Sequence, residues 1–251
     1  MKIGIYGDSW GCFNFDEVSD ITTAWPEILK THGHTVDNHS VVGETFFNVY
    51  QKFKENYRNY DVNIFLIPRL GRLYFKDIPK PYNTRVGEES SLSLNKQLLK
   101  NDITLSKEDK DMLTELYSFS EVHFKYKINW EQESEIRNDL LEYSRTFKTK
   151  TIFIPCVDEC IPWEENTGTL MDIFAYENTI LKPTVQVGEI QENRYVRDLR
   201  LCHLSEENNK LLADMILSAI ENQRDTINIE LKDFKKPSKN IEHYMGWKEI
   251  Q

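Results

Sequence analysis

The residues best suited to chemistry lie near the two ends of the chain. Gly7-Asp8-Ser9 follows the run Lys2-Ile3-Gly4-Ile5-Tyr6, so Ser9 sits just past the carboxyl end of a predicted first strand. In an open α/β sheet that edge is where ligands bind. A serine there can expose its hydroxyl for acyl transfer, and its own backbone N–H can face a developing oxyanion. Gly-Asp-Ser is equally an ordinary turn, since all three residues favour turns for local backbone reasons. Toward the other end, His203 directly precedes the last predicted helix, and a neutral imidazole suits proton transfer near neutral pH. His32, His34, His39, His123 and His243 have no partners at ligand or triad spacing and are assigned no chemistry. Cys156 and Cys160 carry three residues between them, which is not zinc-knuckle spacing, and no matching Cys/His pair lies elsewhere. No metal and no cofactor are expected.

The elements that must position these residues alternate. A strand over residues 2–6 is followed by a helix over 24–31, with Thr22 or Thr23 available as its cap and Gly33 as its stop. A short strand over 35–38 leads through a loop at 40–43 into a helix carrying Phe46, Phe47, Val49, Tyr50 and Phe53. A third strand spans 62–67. This β-α-β-α-β order with near-continuous apolar strands predicts a three-layer α/β/α sandwich on a mainly parallel sheet. Regularity then fails over about 75–130, read as a helical insertion with helical patterns at 92–100 and 106–119. A helix over 131–147, a strand over 151–155, a loop-rich stretch with one helical piece near 170–176, and a final helix from Ser205 to about residue 222 complete the pattern. Residues 1–222 are thus expected to form one domain, with 223–251 as a C-terminal extension.

Several ordered blocks carry a family resemblance. Gly7-Asp8-Ser9 after the first strand, then Trp25-Pro26-Glu27-Ile28-Leu29, then Asn38-His39-Ser40-Val41-Val42-Gly43, resemble the opening blocks of the SGNH (GDSL-type) hydrolases. Cys202-His203-Leu204-Ser205-Glu206-Glu207-Asn208, leading into the last helix, resembles that family's catalytic-histidine block. The resemblance covers about 1–68 and 198–222. It implies a flavodoxin-like α/β sandwich, Ser9 as nucleophile, His203 as general base, and the Ser9 and Gly43 backbone amides as oxyanion donors. A glycine at 43 also makes physical sense where a side chain would crowd the substrate carbonyl.

The chain departs from the family pattern twice. The acid usually three residues before the histidine is Arg200 here; Asp198 is the nearest carboxylate and the candidate for orienting the imidazole, or else a surface charge. The Gly-X-Asn-Asp block expected after the third strand is replaced by Pro68-Arg69-Leu70-Gly71-Arg72, so the asparagine donor is absent. Losing one oxyanion donor typically costs about 10²–10³ in turnover. Arg72 is the candidate replacement, with Arg69 second, since guanidinium supplies charged donors and can hold an anionic substrate. Both are equally readable as solvated charges.

Composition bounds the partners. Lys+Arg 31 against Asp+Glu 41 gives a net charge of −10, which repels nucleic-acid phosphate and anionic lipid. No apolar run is long enough for a membrane span or a signal-peptide core, and four cysteines in such a chain read as reduced thiols, so a soluble, cytoplasmic protein is expected. The resemblance points to a divergent branch, of the kind encoded by viruses or mobile elements. The leading expectation is a serine ester hydrolase acting through an acyl-enzyme on Ser9, with a small ester or an acylated glycan, such as an O-acetylated carbohydrate, as substrate. A binding or structural protein that keeps the fold without the oxyanion machinery, and a transferase using the same serine, stay open. The aromatics of the insertion, Tyr117, Phe119, Phe124, Tyr126 and Trp130, read either as a lid or as the insertion's own small core.

Overall fold

Alternation along three neighbouring strands decides the layers. In β1 (Lys2–Tyr6), Ile3 and Ile5 point to one face of the sheet while Tyr6 points to the other. In β3 (Val62–Ile67), Ile64 and Leu66 oppose Phe65 and Ile67, and in β4 (Lys150–Pro155), Ile152 and Ile154 oppose Phe153. Every residue of β3 is buried, as a strand covered on both faces requires. The computed structural model describes residues 1–12, 21–69, 73, 106–126, 135, 138–139, 142–156, 168–173, 190–191, 194–197, 201–235 and 248–250.

The main sheet is entirely parallel, in the order β2-β1-β3-β4, with β2 spanning Thr35–Asn38. One face packs on α1 (Trp25–Thr31) and on the long helix near the carboxyl end, Glu206–Glu221. The other packs on α2 (Phe46–Asn56), whose Val49, Tyr50 and Phe53 meet Tyr6, Phe65, Ile67 and Phe153. Phe53 holds Tyr6 and Phe65 edge-on, with ring centroids 5.4 and 5.3 Å away. Burial of such a ring contributes about 1.5–3 kcal/mol. The molecule is the predicted three-layer α/β sandwich.

Between β3 and β4 lies α3 (Lys107–Tyr126), which ends seven residues beyond the sequence pattern. Its Leu113 and Tyr117 are fully buried, whereas Phe119 is 56% exposed, so the insertion's aromatics divide between core and surface. Phe124, Tyr126 and Trp130 lie outside the residues whose side chains are described. In the stretch expected to be loop-rich, β5 (Ile190–Gln191) and β6 (Arg194–Arg197) form an antiparallel pair, and β7 (Lys248–Ile250) from the chain's end joins β6. Strands of two to four residues are too short for periodicity to reveal. The long helix Glu206–Glu221 is α4. No described helix is long and apolar enough to cross a membrane.

Residues past α4 return to the sheet. Phe153 donates its N–H to the Asp225 carbonyl at 2.8 Å, and a parallel bridge joins Phe153 to Thr226 on the open side of β4. Ile227, Ile229 and Phe234 then enter the core beside α4.

Candidate active site

Strand order places the serine. The chain runs from β1 outward to β2 through α1, then recrosses by α2 on the opposite face to β3, so the connections diverge at the carboxyl ends of β1 and β3. In an open α/β sheet such a divergence is where ligands bind. Ser9, half-exposed, lies three residues past β1 at that edge.

The loop bearing Ser9 is tightly built. Asp8 is 1% exposed; its Oδ1 accepts the Trp10 N–H at 3.2 Å and lies 4.0 Å from the Cys156 Sγ donor. Gly11 N–H closes the turn on the Asp8 carbonyl at 3.1 Å. At Gly7 a Cβ would stand 2.6 Å from Leu66 Cβ, so only glycine lets the loop approach β3 this closely. Carboxylate, turn and close approach together fix the backbone on both sides of Ser9.

The loop bearing Gly43 is stitched to it. His39 N–H donates to the Ile5 carbonyl at 2.8 Å and Val41 N–H to the Gly7 carbonyl at 3.0 Å, extending the β1–β2 ladder beyond the strands. Asn38 Nδ2 donates to the Gly11 carbonyl at 2.6 Å while its Oδ1 accepts the Ser40 N–H. Gly43 has φ 69°, Val42 is not among the positive-φ residues, and Glu44 N–H donates to the Val41 carbonyl at 3.1 Å. This is a type II turn with glycine at its third position, where φ must be positive. The glycine is therefore required by its backbone conformation, a stronger reason than the crowding argued from sequence.

Glu44 anchors that turn. Its carboxylate is 5% exposed and accepts from Lys52 Nζ at 2.8 Å, Asn48 Nδ2 at 3.0 Å and Thr45 N–H at 3.3 Å. Burial works against ionisation, but the hydrogen bonds from Lys52 and Asn48 outweigh it and hold the carboxyl below the usual range. Lys52 Nζ also reaches the His39 carbonyl at 3.5 Å.

His203 arrives from the far end of the chain. Its ring lies against that of Trp10, centroids 4.9 Å apart and tilted by 58°, which brings it beside the residue that follows Ser9. It closes a 3₁₀ turn, Leu201–His203, in which Cys202 (φ 52°) and His203 (φ 60°) are both left-handed. Two consecutive non-glycine residues in that region cost about 1–3 kcal/mol each and persist where surrounding contacts over-determine them. The contacts are visible. Ser205 caps α4, accepting the Asn208 N–H, and Asn209, 1% exposed, donates Nδ2 to the carbonyls of Leu204 (3.1 Å) and Ser205 (3.2 Å). Asn209 Oδ1 accepts the Trp25 N–H at 3.0 Å, and Trp25 Nε1 donates to the Trp10 carbonyl at 2.9 Å. A chain of hydrogen bonds thus runs from the histidine's loop to the serine's.

This corrects the expected start of α1. Neither Thr22 nor Thr23 caps the helix; the cap position is Ala24, without a side-chain bond, and Asn209 supplies the acceptor from across the fold. His39, assigned no chemistry, has a structural place: it stacks on Tyr6 at 5.0 Å and its Nε2 meets the Tyr60 hydroxyl at 2.7 Å. Asp198 and Arg72 lie outside the described residues; Arg69 is half-buried two residues past β3. Among the described residues no group of three His, Cys, Asp or Glu is placed to hold a metal ion. Asp8, Asn38, Glu44, Lys52 and Asn209 were missed from sequence. For Asn209 a signal existed, a polar residue interrupting the apolar stripe of α4.

No protein-family model and no curated protein matches the chain. Among solved structures it is similar to an acetyl xylan esterase, AlAXEase, at 11% identity over 93% of this chain and 79% of that one, with a TM-score of 0.32. It is also similar to a G-D-S-L family protein from Desulfitobacterium hafniense DCB-2, at 15% identity over 49% of this chain and 71% of that one, with a TM-score of 0.22. At such scores the functional argument rests on the site's own geometry.

Proposed function

We propose that the protein is an SGNH-type serine ester hydrolase. The observation that carries this reading is the packing of the His203 ring on Trp10, immediately after Ser9, at the switch-point edge of a parallel sheet. Ser9 Oγ attacks the ester carbonyl while His203 takes its proton; the oxyanion is met by the Ser9 and Gly43 amides, and Arg72 stands in for the absent asparagine. The alcohol leaves with the proton from His203, giving an acyl-enzyme. Water, deprotonated by His203, releases the acid and restores the serine. Asp198 orients the imidazole. The substrate is a short acyl ester, foremost an O-acetyl group on a carbohydrate.

Fluorophosphonate labelling of wild type and of Ser9→Ala, read by intact mass, tests this without guessing the substrate. One adduct on wild type and none on Ser9→Ala is expected, along with hydrolysis of a short-chain aryl acetate by wild type alone. A wild type that takes no label, or a Ser9→Ala variant that hydrolyses as fast, overturns the reading. The first of those results would favour the second reading, a binding protein, whose motivation is Pro68-Arg69-Leu70 standing where the donor asparagine is expected.

A further inference from the structure

A type II turn and a type I turn differ by a flip of their central peptide, which reverses the direction of the N–H at the third position. In the turn Val41-Val42-Gly43-Glu44 that N–H belongs to Gly43. Whatever fixes the turn type therefore fixes where this amide points. Glycine alone does not fix it, because glycine tolerates both signs of φ.

What secures the turn is the ion pair beside it. Glu44 closes the turn with its own N–H, and its carboxylate is tied to α2 by Lys52, Asn48 and the Thr45 amide. Lys52 also touches the His39 carbonyl, on the entering leg of the same loop. The pair spans both legs. Capping alone does not account for it, since Thr45 already caps α2 with its hydroxyl on the Asn48 N–H. Stability does not account for it either: Lys52 is 33% exposed, and an ion pair with one partner that open to water contributes little. What such a pair supplies is direction. We infer that the Glu44–Lys52 ion pair holds the Val42–Gly43 peptide in the orientation that presents the Gly43 N–H to the acyl oxyanion, making both side chains positioning residues for acyl transfer. This rests on the proposed roles of Ser9 and Gly43.

The test uses the full chain as wild type, Lys52→Met, Lys52→Arg and Glu44→Gln, with aryl acetate hydrolysis, fluorophosphonate labelling and urea unfolding measured on each. In Lys52→Met, kcat is expected to fall about 10–100-fold, somewhat less than deletion of a donor. KM should stay within about twofold, the pattern of an interaction made only in the transition state. Lys52→Arg, which keeps the charge and the donors, restores most of the rate. Should Lys52→Met not fold, Glu44→Gln, which keeps the shape and the oxygen that accepts from Asn48 and Thr45 but replaces the acceptor of Lys52 by an NH2 group, carries the same expectation. Folded pair variants with wild-type kcat, or a rise in KM at unchanged kcat, overturn the inference while leaving Ser9 catalysis standing. A wild type that neither labels nor hydrolyses overturns both.

Discussion

Replacing Asn209 with leucine removes, at nearly constant volume, the side chain that joins the His203 segment to α1. Three hydrogen bonds disappear: Trp25 N–H loses its acceptor, and the Leu204 and Ser205 carbonyls lose a donor. Ser205 keeps a partner, because the Asn209 backbone N–H still reaches its carbonyl at 2.8 Å. Two groups lose a buried partner, and each such loss costs about 1–3 kcal/mol, so Asn209→Leu should destabilise by about 2–6 kcal/mol. That is a large share of the 5–15 kcal/mol or so by which domains are stable. Urea unfolding followed by tryptophan fluorescence suits the question, since Trp25 and Trp10 lie in the same hydrogen-bond chain. Asn222→Ala is the control: Asn222 is exposed and bonds only within its own helix end, so a change within about 0.5 kcal/mol is expected. A loss below about 1 kcal/mol in Asn209→Leu would refute the claim that these bonds set the position of the histidine's loop.

Two other outcomes follow from the packing of Tyr6, His39 and Tyr60 on one another. The Tyr6 hydroxyl is buried without a hydrogen-bond partner, and burial pushes its pKa far up, so Tyr6→Phe should leave stability unchanged or raise it by about 1 kcal/mol in urea unfolding; a clear loss would show a partner for that oxygen. Burial lowers the His39 pKa, against a smaller upward pull from Asp37, so below the ordinary histidine value the unfolded chain binds more protons than the folded one. Stability should therefore fall as pH drops through about 6.5, His34 adding the same sign, and His39→Phe should flatten that fall; parallel pH profiles would contradict it.

The strands were legible because their chemistry is local. Ile64-Phe65-Leu66-Ile67 reads as a covered strand by its shortness and its isoleucines, and Gly33, at φ 80°, ends α1 where sequence places the stop. The Ser205 cap is equally local. The cap of α1 was not legible, since its acceptor lies 184 residues away and nearby threonines satisfy the local rule better. In the site, Ser9, Gly43 and His203 stood out by type and order. The polar groups that hold them did not: Asn38, Glu44 and Lys52 act through partners that only the folded loop brings near.

The segment after α4 has a consequence for synthesis. The outer side of β4 is complete as a strand once Pro155 is made, yet Asp225 and Thr226, which pair with it at Phe153, come roughly seventy residues later, about 4–15 s at ordinary rates of elongation. Through that interval the nascent chain carries a strand edge with open N–H and C=O groups, the surface on which neighbouring chains on a polysome pair with one another. The docking of Asp225 and Thr226 is what closes that edge at Phe153.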